Sequence, residues 1–144
     1  MQSIITNSAA ETEKFAQELA GKLKGNDVLA FFGGLGMGKT TFVRGLARGL
    51  GSSDEVSSPT FALVHEYRST PKLYHFDMYR ITGEDDLFSI GFYDYSNAVL
   101  AIEWSEKIPY ALPRIYWKVS FLSEGENDRK IEIEFIDSQN QEKL

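Results

Sequence analysis

The sequence predicts an α/β fold: a central mixed sheet with antiparallel hairpins at its sides and helices flanking it. Three observations carry that prediction. A short, continuous apolar run, Val28–Phe32, reads as a strand covered on both faces and leads through a glycine-rich loop into a run of helical period. A second apolar run, residues 99–102, ends in the carboxylate of Glu103. Residues 61–79 and 115–137 each hold two strand-like runs joined by a turn-forming cluster, as hairpins do. Residues 1–144 are expected to form one domain, because a chain of 144 residues can bury roughly two-thirds of its unfolded surface around one core.

Taken in order, the first element is a helix. Ser8 and Glu11 have capping-box spacing, Phe15, Leu19 and Leu23 recur at helical intervals with Ala16 and Ala20, and Gly25-Asn26 is the expected stop. Its simplest role is packing, although its start could lie near a nucleotide base. After the apolar strand, Gly33 to Thr40 spells G-x-x-x-x-G-K-T without a mismatch. This is a phosphate-binding loop, and the chemistry requires those residue types. Gly33, Gly34, Gly36 and Gly38 let the chain curl so that successive N–H groups point inward, and the helix starting near Lys39 adds the positive end of its dipole. Lys39 is a charge for the β- and γ-phosphates, and the Thr40 hydroxyl is a ligand for Mg²⁺. The fold is therefore expected to be P-loop NTPase-like. Phe42, Val43, Leu46, Ala47 and Leu50 share one face of the following helix, Gly51 stops it, and Arg44 and Arg48 lie on a solvated face.

Pro59 drives Ser58 into an extended conformation, which places the hydroxyls of Ser57, Ser58 and Thr60 in a stiff segment, either a γ-phosphate sensor or a strand entry. Asp77 closes an apolar-aromatic strand and suits either a water-orienting or metal-associated carboxylate or a turn cap. His65 and His75 read as hydrogen-bonded strand residues rather than ligands. Thr82 to Asp85 starts a short acidic helix. Beyond it, Phe88, Phe92, Tyr93 and Tyr95 divide between core and a docking surface. The run ending at Glu103 has the Walker-B pattern, which sets an acid beside the loop's Mg²⁺. The last seven residues look frayed.

Composition narrows the function. The net charge of −6 argues against broad, sequence-independent nucleic-acid binding. The chain has no cysteine, which excludes a disulfide framework, a thiolate zinc site and a cysteine nucleophile. No signal-peptide pattern opens the sequence and no apolar run approaches the roughly 18 residues of a membrane helix, so a soluble, cytoplasmic protein with no membrane partner is expected.

The motifs converge on a known pattern. Gly33 to Thr41, Val56-Ser-Ser-Pro-Thr-Phe61, Tyr74-His-Phe-Asp-Met-Tyr-Arg80 and Ile102-Glu-Trp-Ser-Glu106 resemble, in order and over nearly the whole chain, the TsaE family of small bacterial ATPases needed to make threonylcarbamoyladenosine in tRNA. Family members usually carry an acid at the position of Gly34 and often alanine at that of Met37. The resemblance implies ATP and Mg²⁺ as cofactors, with the nucleotide held by Gly33, Gly34, Leu35, Gly36, Met37, Gly38, Lys39, Thr40 and Thr41. It implies that Thr40 and Glu103 hold the ion, that Asp77 orients or activates the attacking water, and that Trp104 sits beside the nucleotide. It also implies two partners, TsaB and TsaD, with ATP turnover resetting their complex and tRNA reached through it.

Two other readings compete. A small-molecule kinase would use the same loop, but such enzymes commonly need an arginine-rich lid, and the six arginines here are scattered. A nucleotide-gated binding module would make hydrolysis incidental. A GTPase fits less well, because no N-K-x-D segment is present.

Overall fold

The computed structural model describes residues 1–33, 38–60, 62–126 and 128–138. In chain order these form strand β1 (Gln2–Thr6), helix α1 (Ala9–Ala20), β2 (Val28–Phe32), α2 (Lys39–Gly49), β3 (Val64–Tyr67), β4 (Lys72–Asp77), α3 (Glu84–Ser89), β5 (Ala98–Glu103), β6 (Ile115–Ser123) and β7 (Arg129–Asp137). The strands make a seven-stranded sheet in the order β1-β7-β6-β2-β5-β4-β3. Strand β2 lies at its centre, parallel to β5 on one side and β6 on the other, and β4 runs parallel to β5. The pairs β3–β4, β6–β7 and β1–β7 are antiparallel. The mixed sheet with two lateral hairpins is therefore the one the sequence predicts.

Side-chain alternation along the strands separates two cores. On one face Leu29, Phe31, Val99, Ala101, Val119, Phe121 and Ile131 meet α1 and α2. The rings of Phe31, Phe42 and Phe121 pack edge to face at centroid distances of 5.5 Å. On the other face Phe76, Leu100 and Ile102 meet Leu87, Phe92 and Ile108. The four aromatics that follow Leu87 divide accordingly. Phe92 is buried and Tyr95 packs against Phe76, whereas Phe88 (62% exposed) and Tyr93 stay in solvent with their rings 5.0 Å apart.

The two main helices touch through small residues. A Cβ on Gly45 would stand 2.2 Å from the carbonyl oxygen of Glu13 and 2.7 Å from the Cβ of Ala16, so the approach of α2 to α1 depends on that missing atom. At the start of α1, Ser8 Oγ accepts the Glu11 amide at 3.1 Å as its spacing predicts, while the Glu11 carboxylate bonds back to the amide of Asn7 at 2.8 Å. Helix α1 ends earlier than expected, at Ala20. The amides of Lys22 and Leu23 turn to tighter bonds with Leu19 and Ala20, and the Asp27 carboxylate takes the amide of Lys24. Arg48 is another difference. Rather than standing in solvent, it donates to the carbonyls of Ser52 and Asp54 and fixes the loop after α2. Of the frayed terminus the sequence suggests, residues 139–144 lie outside the described residues. No helix among the described residues is long and apolar enough to cross a membrane.

Candidate functional site

The site follows from strand direction. Parallel strands β2, β4 and β5 end on the same edge of the sheet, where an α/β fold opens its crevice. Asp77 and Glu103, the last residues of β4 and β5, are register partners, so both carboxylates lie on the face covered by α2. Strand β2 runs into Gly33, whose φ is +131° and where a Cβ would stand 2.6 Å from the Phe121 carbonyl oxygen, so there is no room for a side chain. Gly34, Leu35, Gly36 and Met37 lie outside the described residues, as does Phe61. Gly38 re-enters as the N-cap of α2 at φ +89°, with no side chain capping the helix. The first-turn amides of an eleven-residue helix are thus offered to whatever occupies the space beyond.

That space is a cleft of about 760 Å³, within the range of small-molecule sites. The start of α2 lines it with Gly38, Lys39, Thr40 and Thr41, and the sheet edge and the Pro59 segment with Ser58, Thr60, Asp77, Glu103 and Trp104. Asn7, Ser8, Ala9 and Thr12, from the entry and first turn of α1, and Arg129 complete the lining. Lys39 is only 5% exposed. Its ammonium donates to the Gly33 carbonyl at 2.7 Å and lies 4.5 Å from the centre of the Trp104 ring. Burial pushes its pKa below the ordinary lysine value, and the carboxylates of Glu103, Glu106 and Asp77 pull it back up. Trp104 holds its place with a left-handed backbone, φ 59° and ψ 42°, a conformation that costs a bulky residue energy and marks a constrained position. Glu106 accepts the Gly33 amide at 3.3 Å.

The two carboxylates are held differently. Asp77 accepts the Tyr79 amide on Oδ1 at 2.9 Å and the Thr60 hydroxyl on Oδ2 at 3.1 Å. It therefore caps the turn, one of the two readings its sequence left open, and it also lines the cleft. Thr60 in turn lies 2.7 Å from the Ser58 hydroxyl, so the Pro59 segment does reach the cleft. Glu103 forms a short hydrogen bond with Nε2 of the buried His75.

Comparison with known proteins matches this arrangement. Residues 6–131 fit the family described as Threonylcarbamoyl adenosine biosynthesis protein TsaE. The chain belongs to the TsaE family. It is similar to the tRNA threonylcarbamoyladenosine biosynthesis protein TsaE of Treponema pallidum, at 35% identity over 90% of this chain and 97% of that one. It is also similar to the protein of the same name from Aquifex aeolicus, at 42% identity over 74% and 79%. Among solved structures, Bacillus subtilis YdiB superposes with a TM-score of 0.78 at 31% identity, covering 99% of this chain and 89% of that one. A TsaE-family chain with a P-loop fold is a nucleotide-binding protein of threonylcarbamoyladenosine biosynthesis.

The residues of this TsaE-family cleft suit a magnesium nucleotide. A buried ammonium and a helix start without a side-chain cap favour phosphate, and hard oxygen donors on Thr40 and Glu103 favour a small divalent cation. Among the described residues no group of three or more His, Cys, Asp or Glu forms a metal cage. Mg²⁺ commonly takes only one or two protein oxygens and completes its shell with phosphate and water. Sequence reasoning missed Arg129, which reaches the cleft only because the β6–β7 hairpin folds beside α2, and Glu106, which it quoted without a role. Arg80 is exposed and does not line the cleft.

Proposed function

We propose that this chain is a Mg²⁺-dependent ATPase subunit of the machinery that places threonylcarbamoyl on adenosine 37 of tRNA. It works with TsaB and TsaD and resets their complex by binding and hydrolysing ATP. The observation that carries the reading is the convergence of Lys39, Asp77 and Glu103 on one cleft at the start of α2. Lys39 turns from the Gly33 carbonyl towards the β- and γ-phosphates, and the amides of the loop and of the helix start cradle them. Thr40 and Glu103 hold the ion. An Mg²⁺ ion held there would supply positive charge to offset that of the phosphates. Asp77 keeps one oxygen on the Tyr79 amide and the other on Thr60, which fixes its carboxylate to orient the attacking water and receive its proton. Asn7, Ser8 and Thr12, which line the cleft away from the carboxylates in sequence, take the base and ribose, with Trp104 beside the nucleotide.

The test is Mg²⁺-dependent phosphate release from ATP by the purified chain, alone and with TsaB and TsaD. Slow release that rises when both partners join, and nucleotide affinity in calorimetry that disappears in Lys39→Ala, are the expected results. Turnover indifferent to partners, with phosphate appearing on an organic acceptor, would replace this reading by the kinase. Full tRNA modification by a hydrolysis-dead variant would replace it by the binding module.

A further inference from the structure

We propose that His75 and Tyr67 are positioning residues that tie Glu103 to the Ser57–Thr60 segment through one buried hydrogen-bonded chain. The proposal rests on the reading of Glu103 and Asp77 given above and assigns work to two side chains outside the cleft. His75 is fully buried, Tyr67 is 3% exposed and Glu103 5%. Polar groups at that depth are tolerated only when they are hydrogen-bonded, and His75 bonds to each of the other two. Nε2 of His75 meets the Glu103 carboxylate, and Nδ1 lies 3.3 Å from the Tyr67 hydroxyl. That hydroxyl donates to the Ser57 carbonyl at 3.0 Å and accepts the Ser57 amide at 3.3 Å. His65 braces the same carbonyl with Nδ1 at 3.2 Å.

The chain has the form of a coupling device rather than of core filling. The Tyr67 hydroxyl has one proton and three atoms in reach that can accept it, Ser57 O at 3.0 Å, His75 Nδ1 at 3.3 Å and His65 Nδ1 at 3.4 Å. Which of them receives it depends on what His75 offers, and that depends on whether Glu103 holds the other side of the ring. Three residues past Ser57, across the stiff Pro59, Thr60 binds Asp77. Asp77 is the register partner of Glu103, so the connection closes into a ring: Glu103, His75, Tyr67, Ser57, Thr60, Asp77. A displacement of the Glu103 carboxylate from His75 is thereby transmitted to the hydroxyl that steadies Asp77.

Tyr67→Phe removes one oxygen and keeps the ring that packs in the core, so it isolates the connection. His75→Gln is the second variant, since its amide can still donate to Glu103. For Tyr67→Phe the expected result is a kcat for MgATP lowered about tenfold with KM unchanged within about threefold, because misplacement of a reacting group acts on the transition state. Amide hydrogen exchange at residues 57–60, measured without nucleotide, is expected to accelerate while β2 and β5 keep their protection. The double variant should be no slower than the slower single one, the mark of residues acting as a unit. Additive losses, an effect confined to KM, or unchanged exchange at 57–60 would overturn the proposal. Should the wild-type chain hydrolyse no ATP, the ATPase reading falls by itself, and the exchange measurement still decides for or against the connection.

Discussion

Asp77 shows how one side chain serves fold and site together. Its two oxygens take the Tyr79 amide and the Thr60 hydroxyl, so its position is set by backbone and loop before any ligand arrives. Asparagine can keep the Tyr79 bond with its one oxygen and donate its NH₂ to the Thr60 hydroxyl, reversing that bond, but it cannot accept a proton from water. Asp77→Asn is therefore expected to bind MgATP within about threefold of wild type and to turn over about a hundredfold more slowly, the usual scale of a lost general base. Normal turnover in steady-state kinetics would move the role elsewhere. At this scale the sequence was readable where chemistry leaves a local signature. Lys39 and Thr40 sit inside a contiguous motif, and Glu103 ends an apolar strand. Arg129, Tyr67 and His75 carry no such mark. Their placement depends on sheet register and on which hairpin folds beside which helix, and a single chain does not write that locally.

Among the elements, α2 lies against α1 at two glycines, Gly45 and Gly49, and Gly45 makes the tighter contact. Alanine there would gain about 1 kcal/mol of helix propensity, yet its Cβ would strike the Glu13 carbonyl, a backbone atom that cannot swing aside. Overpacking of this kind typically costs about 1–3 kcal/mol, and here the helices must separate, so Gly45→Ala is expected to destabilise by about 2 kcal/mol in urea denaturation. An equal or higher midpoint would show that α1 yields freely. The helices and the two hairpins were legible because period and turn chemistry are local properties. Strand β1 was not. Most of its residues are exposed, and its only organising feature is a partner at the other end of the chain, Gln2 opposite Ile133 through Thr6 opposite Arg129.

The whole molecule is acidic, with a pI near 4.9, and its candidate cleft has carboxylates as well as a lysine within it. Nucleic acid should be repelled over most of the surface. The chain alone is expected to bind unmodified tRNA with a Kd weaker than about 10⁻⁴ M at physiological salt, read by fluorescence anisotropy. Micromolar affinity would show that contact with the RNA is not left to its partners. The pairing of β1 with β7 also sets an order in time. As the chain emerges from the ribosome, the earliest of these strands has nothing to pair with until the carboxyl-terminal hairpin is out, and closing so long a stretch is slow. Asn7 and Ser8 follow β1, and Arg129 begins β7, so these two parts of the cleft lining are joined by the last event of assembly. A nascent chain lacking only its final hairpin would own the phosphate loop and both carboxylates of the cleft, and still have no finished place for a nucleotide.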